Sequence, residues 1–225
     1  MRAFSSIFVS LVLVCSTISM ADGASDAYRA LGVNPQKVLS GTVISSRVLP
    51  GGEKQVVCIA TYLTGKKGRS DAVNIKLGIF IPRDVGLDPI YIRDLGAERG
   101  GLVDRGDLQL LDLDGDGINE IVMSFDSYED PLIEQKLSEV IIYRDSAFVT
   151  AWSGPLEYDA TKAARNVSDE RRDRYVRELD LANTLRTRGV TLFFNKKVIA
   201  VAGERLAEPK MVQETFPLRD APDHW

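Results

Sequence analysis

Leu108-Gln109-Leu110-Leu111-Asp112-Leu113-Asp114-Gly115-Asp116-Gly117-Ile118-Asn119-Glu120-Ile121-Val122-Met123-Ser124-Phe125 is two short apolar runs around an acidic stretch of nine residues, Asp112 to Glu120. Both runs are rich in apolar residues and too short for helices, so they read as β-strands. The Asp-Gly steps between them supply turn chemistry. The segment is therefore expected to be a hairpin of antiparallel strands, and a β fold is built outward from it.

The acidic stretch has the spacing of a cation loop. Calcium takes six to eight oxygens from carboxylates, backbone carbonyls and water, in flexible geometry. Asp112, Asp114 and Asp116 fall at the first, third and fifth positions of such a loop, the Ile118 carbonyl at the seventh and Glu120 at the ninth. Gly115 and Gly117 allow the backbone to curl around an ion. Magnesium suits the loop less well, because it prefers rigid octahedral geometry and retains its waters. An EF-hand needs a bidentate acid at position twelve, between two helices. Position twelve here is Met123, and the flanks are strands. The competing reading is a solvated acidic turn whose Asp-Gly steps only shape the hairpin.

The pattern Asp-x-Asp-x-Asp-Gly-x-x-Asp/Glu between apolar strands, which Leu111 to Val122 follow, resembles the FG-GAP/VCBS repeats. These are the blade type of integrin α-chain propellers and of many secreted bacterial proteins. The resemblance extends through Val140-Ile141-Ile142-Tyr143, a turn at Arg144-Asp145-Ser146, and Phe148-Val149-Thr150-Ala151-Trp152, and spans one repeat at about residues 107–154. It implies Ca2+ as the bound ion, with Asp112, Asp114, Asp116, Ile118 (carbonyl) and Glu120 as its ligands, and a structural role for that ion. There is no second loop of this kind in the chain.

The N-terminus reads as a secretory signal peptide over residues 1–21. Arg2 gives the positive region, Ile7 to Val14 the apolar stretch, and Ser19-Met20-Ala21 the small-x-small cleavage site. Export to the periplasm or the extracellular space is therefore expected. A lipid anchor on Cys15 is disfavoured, because Val14 is not the small residue a lipobox needs. Cleavage removes one charge, Arg2, and moves the net charge from −4 to −5. An acidic chain without a long basic run is a poor nucleic-acid binder, and Lys66-Lys67-Gly68-Arg69 reads as a solvated turn. After cleavage Cys58 is the only cysteine, expected in the core of a strand. The single histidine, His224, sits at the C-terminal tail, which disfavours a Ser-His-Asp nucleophile and excludes a multi-histidine zinc site.

The remaining elements follow from periodicity and punctuation. Ser25 to Gly32 reads as a short helix. Gly41–Leu49, Lys54–Leu63 and Ala72–Ile81 read as an antiparallel meander, with a short extended piece at Tyr91-Ile92. Ser168–Arg188 reads as an amphipathic helix. It has acids in its first turn, arginines in its last, Glu170–Arg174 and Asp173–Arg177 spaced for ion pairs, and an apolar stripe of Tyr175, Leu179, Ala182 and Leu185. A final hairpin is expected from Val190–Asn195 with Val198–Ala202, turning at Asn195-Lys196-Lys197, and Met211–Leu218 as an edge strand. The expected fold is a single mainly β domain over residues 22–225, with antiparallel sheets, a blade-like calcium hairpin and one docked helix.

Two function classes are compatible with these features. The first is an exported, non-catalytic calcium-binding module that contacts a protein or a glycan, as adhesion modules do. The alternative is a secreted glycosidase-like hydrolase working through paired carboxylates; Asp126, Glu129 and Asp130 are the nearest candidates. Arg105-Gly106-Asp107 spells an adhesion tripeptide but is expected to lead into the hairpin. Asn166-Val167-Ser168 is a glycosylation sequon. Trp152 is expected to be packed, and Trp225 could face a carbohydrate.

Overall fold

The computed structural model describes residues 20–65, 72–99, 102–128, 132–161, 172–188 and 191–218. Cys15 and most of the leader, the Lys66–Arg69 cluster, Glu129, Asp130, the Asn166–Ser168 sequon, His224 and Trp225 lie outside these residues.

Helix α1 (Met20–Ala30) contains the helix expected from Ser25. It stops where Gly32 takes φ of 73°. The first sheet is the expected meander, of β1 (Val38–Ser46), β2 (Gln55–Leu63), β3 (Val73–Pro82) and β4 (Leu87–Asp94) in that spatial order. The extended piece at Tyr91-Ile92 is thus a full edge strand. A single turn, α2 (Leu95–Glu98), leads into the second sheet.

The second sheet has seven antiparallel strands in sequence order. They are β5 (Val103–Leu111), β6 (Glu120–Ser127), β7 (Glu134–Arg144), β8 (Ala147–Asp159), β9 (Arg174–Leu179), β10 (Thr191–Val201) and β11 (Glu204–Pro217). The mainly β, antiparallel fold class is as read from sequence. The β5–β6 hairpin pairs Leu111 with Glu120 and Leu110 with Ile121. The β7–β8 turn falls on Asp145 and Ser146, both at positive φ.

Two expected elements are corrected. The helix expected over 168–188 is, within the described residues, strand β9 followed by a short helix, α3 (Leu181–Arg186). Tyr175, Arg177 and Leu179 satisfy a period of two as well as the four-residue spacing of a helix. β9 pairs with both β8 and β10, and those ladders decide between the periods. Arg177 bonds Glu214 (2.6 Å) rather than Asp173, whose carboxylate accepts the Ala202 N–H (3.0 Å). Asp180 caps α3 by accepting the Asn183 N–H (3.1 Å). The turn expected at Asn195-Lys196-Lys197 is instead the middle of β10, and the reversal occurs at Ala202-Gly203. Lys196 fits inside the strand because it bonds Glu214 (3.0 Å) across the sheet and lies over the Tyr175 ring.

The two sheets share one core. Val57, Ile59, Ile75, Leu77 and Ile79 of the first pack against Leu108, Ile121, Met123, Phe125 and Ile141 of the second. Alternation along β2 sends Cys58 and Ala60 to the other face, where Ala27 of α1 and Leu31 just after it cover them. Cys58 is fully buried, as expected, and burial pushes its thiol up to about 12. Val140, Trp152, Leu192 and Phe194 form a third cluster on the opposite face of the seven-stranded sheet. Trp152 is packed, stacked on Phe194 at 4.6 Å between ring centroids.

Polar ties reinforce the inter-sheet core. Gly106 of β5 donates its N–H to Thr61 Oγ1 (2.9 Å), at a place where a Cβ would come within 3.0 Å of Ile75. The Arg105-Gly106-Asp107 tripeptide is therefore a bulge pressed against the first sheet. Glu139 of β7, only 2% exposed, is held by Arg93 and Arg99. Arg93 also bonds Glu98 (2.8 Å). Removing Glu139 takes a buried carboxylate away from both Arg93 and Arg99. Glu139→Ala is expected to lower unfolding free energy by about 2–3 kcal/mol, less than a fully buried broken pair because Glu98 still serves Arg93. Urea denaturation checks this, with Glu98→Ala expected to lose under about 1 kcal/mol.

Candidate metal centre

Asp112, Asp114 and Asp116 each place a carboxylate oxygen so that all three lie within 4.8 Å of one another. Two oxygens on opposite sides of one calcium ion stand roughly 4.6–5.2 Å apart, twice the ligand distance. The donor set therefore fits a single hard cation in both spacing and chemistry. Among the described residues this is the one such group of acidic, histidine or cysteine side chains.

The backbone arrives there through its own hydrogen bonds. Asp112 accepts the N–H groups of Gly115 (2.8 Å) and Gly117 (3.0 Å). Asp114 accepts from Asp116 (3.1 Å), and Asp116 from Ile118 (2.7 Å). Gly115 and Gly117 sit at φ of 78° and 82°, which a side chain would strain. The loop is thus curled by side chain–backbone bonds that turn residues favour. Crowding has an electrostatic consequence at Asp114. Burial, together with the charges of Asp116 and Asp112, raises its carboxyl above the usual range despite the Asp116 N–H.

Glu120 stands at the mouth of the hairpin rather than inside the aspartate trio. It is 9% exposed, and its Oε2 accepts the Leu113 N–H (2.6 Å). Burial pushes its carboxyl from 4.5 up to about 7, against the Leu113 hydrogen bond and helped by Asp114 and Asp116. Leu113 is the loop's one fully buried residue and joins the Trp152–Phe194 cluster. It closes the base of the loop across from Glu120. An apolar residue inside a run of acids was the available sequence signal for this role.

Asn119 ties the loop to the first sheet. Its N–H donates to the Arg47 carbonyl (2.7 Å), and its Nδ2 donates to Ser46 Oγ (2.8 Å) and Arg47 O (3.3 Å). Ser46 and Arg47 lie more than seventy positions away, at the end of β1. No local pattern foretells such a partner.

Of the hydrolase candidates, Asp126 lies within the described residues. Asp126 pairs with Arg105 (3.5 Å), and its carboxyl is raised chiefly by burial. A cavity of about 280 Å³ lies along the seven-stranded sheet, with Asp107, Gln109, Trp152, Arg177 and Phe194 among its lining residues. Arg177 there is already committed to Glu214. No helix among the described residues is long and apolar enough to cross a membrane. No family model, curated protein or solved structure matches the chain.

Glu120 gives a pH signature in cation-free protein. Between about pH 4.5 and 7 the folded chain holds a proton that the unfolded chain has lost, so stability falls as pH rises through this window. The loss approaches about 3 kcal/mol at neutral pH as an upper bound. In chelator, thermal melts across this range should show Glu120→Gln losing less stability with rising pH than the parent. Parallel curves for the two proteins would show that Glu120 titrates normally.

Proposed function

We propose that this chain is an exported, non-catalytic calcium-binding β-protein in which the ion is structural. The observation that carries this reading is the convergence of three carboxylates in a loop between two strands that packing already holds in register. Asp112, Asp114 and Asp116 supply direct ligands, and the Ile118 carbonyl and Glu120 complete the set. Calcium supplies positive charge at a point where the chain concentrates negative charge. The residues themselves curl the backbone, orient the oxygens and bury the base of the loop beneath Leu113.

The four-strand run β5–β8 around this loop supports assignment to the FG-GAP/VCBS type of repeat. The ordered surface serves contact with a protein or glycan partner, not with nucleic acid. Outside the cytosol, calcium modules work with dissociation constants of about 10⁻⁴–10⁻³ M, a range that suits a loop with one buried and three more exposed acids.

Thermal unfolding of the purified chain after leader removal, in chelator and in excess calcium, tests the reading. At one hundred times the dissociation constant, binding adds about 2.7 kcal/mol. For a chain of this length that corresponds to a rise in Tm of roughly 5–10 °C. Asp114→Ala should lose most of the rise, and magnesium should give little of it. An unchanged melt together with no calcium uptake by calorimetry sinks the proposal.

A further inference from the structure

The Ile118–Asn119 peptide group faces two ways. Its N–H donates to the Arg47 carbonyl at the end of β1 (2.7 Å). A trans peptide is planar, so its C=O is directed opposite to its N–H, away from β1. That carbonyl is the seventh-position oxygen of the aspartate loop. One rigid plane therefore carries a proposed cation ligand on one edge and a hydrogen bond to the other sheet on the opposite edge.

The far side of that bond is equally constrained. Asn119 Nδ2 adds bonds to Ser46 Oγ and Arg47 O. The next residue, Val48, is 1% exposed and belongs to the inter-sheet core. The N–H groups of Val48 and Leu49 are both held by Gln55 Oε1 (3.0 and 3.1 Å), the buried first residue of β2. A continuous chain of bonds thus runs from the loop through Arg47 and Val48 to β2, an inner strand of the first sheet.

We propose that the Ile118–Asn119 peptide is a calcium-sensitive latch between the two sheets. Ligation of the Ile118 carbonyl polarises the peptide and strengthens its N–H as a donor to Arg47, since linked hydrogen bonds reinforce one another. Calcium then tightens the docking of the four-stranded sheet as well as the hairpin that binds it. The inference rests on the calcium reading above and adds the coupling.

Amide hydrogen exchange, read residue by residue on the purified chain in chelator and in saturating calcium, tests it alongside calorimetry of calcium uptake. Calcium should slow exchange at Asn119, Val48 and Leu49 by about tenfold or more in the parent. Asn119→Ala removes the side-chain bonds to Ser46 and Arg47 but keeps the peptide N–H and every proposed ligand, so it should still take up calcium and keep more than half of that slowing, on a logarithmic scale, at Val48 and Leu49. Gln55→Ala should lose protection at Val48 and Leu49 while Asn119 still responds to calcium. Calcium uptake without a change at Val48 and Leu49 overturns the latch and leaves the binding reading standing. Absence of uptake by the parent overturns both.

Discussion

Ile121, Met123 and Phe125 point into the core between the two sheets, while Val122, one position out of step, joins the cluster on the opposite face. Strand β6 is therefore clamped from both sides. A slip of one residue would exchange these two sets of side chains, so its register against β5 and β7 is held strongly. The acidic loop is the segment that this clamping leaves between β5 and β6. Its carboxylates cannot separate by sliding the strands. Leu113, buried at the base, and Glu120, bonded to the Leu113 N–H, close the remaining freedom. Packing thus concentrates negative charge, and a hard cation is the proposed relief.

The inter-sheet contact combines an apolar centre with polar ties at separate places. Gly106 reaches Thr61, Asn119 reaches Ser46 and Arg47, and Glu139 gathers Arg93 and Arg99. The apolar centre supplies most of the driving force, at about 1.5–3 kcal/mol for each large side chain fully buried. The ties contribute position more than energy, because a hydrogen bond exchanged with water nets only about 0.5–1.5 kcal/mol. Glu139 is the exception in kind. Its burial is tolerable only while its cations stay in place, which makes it a strict condition on how β4 and α2 sit over β7.

Much of the fold was legible along the chain. The first meander, the acidic hairpin and the β7–β8 pair are apolar-rich runs bounded by turn residues, and the half of β11 from Met211 is legible as an edge strand. The segment 174–186 was not legible as strand then helix, since Tyr175 and Leu179 are four apart and serve either period. Only pairing with β8 and β10 selects the strand. The lysines of β10 misled for a related reason, because a polar pair reads as a turn until Glu214 and Tyr175 are seen beside it.

By itself the sequence determined a mainly β, antiparallel chain with one loop whose oxygens are spaced for a cation, because both properties are written in residues a few positions apart. The tertiary structure decided what that loop is attached to. Leu113 in the second core, Glu120 against the Leu113 N–H and Asn119 on β1 depend on surfaces brought together from distant segments. Such contacts exist only once the two cores have fixed β6, and no spacing within the loop encodes them.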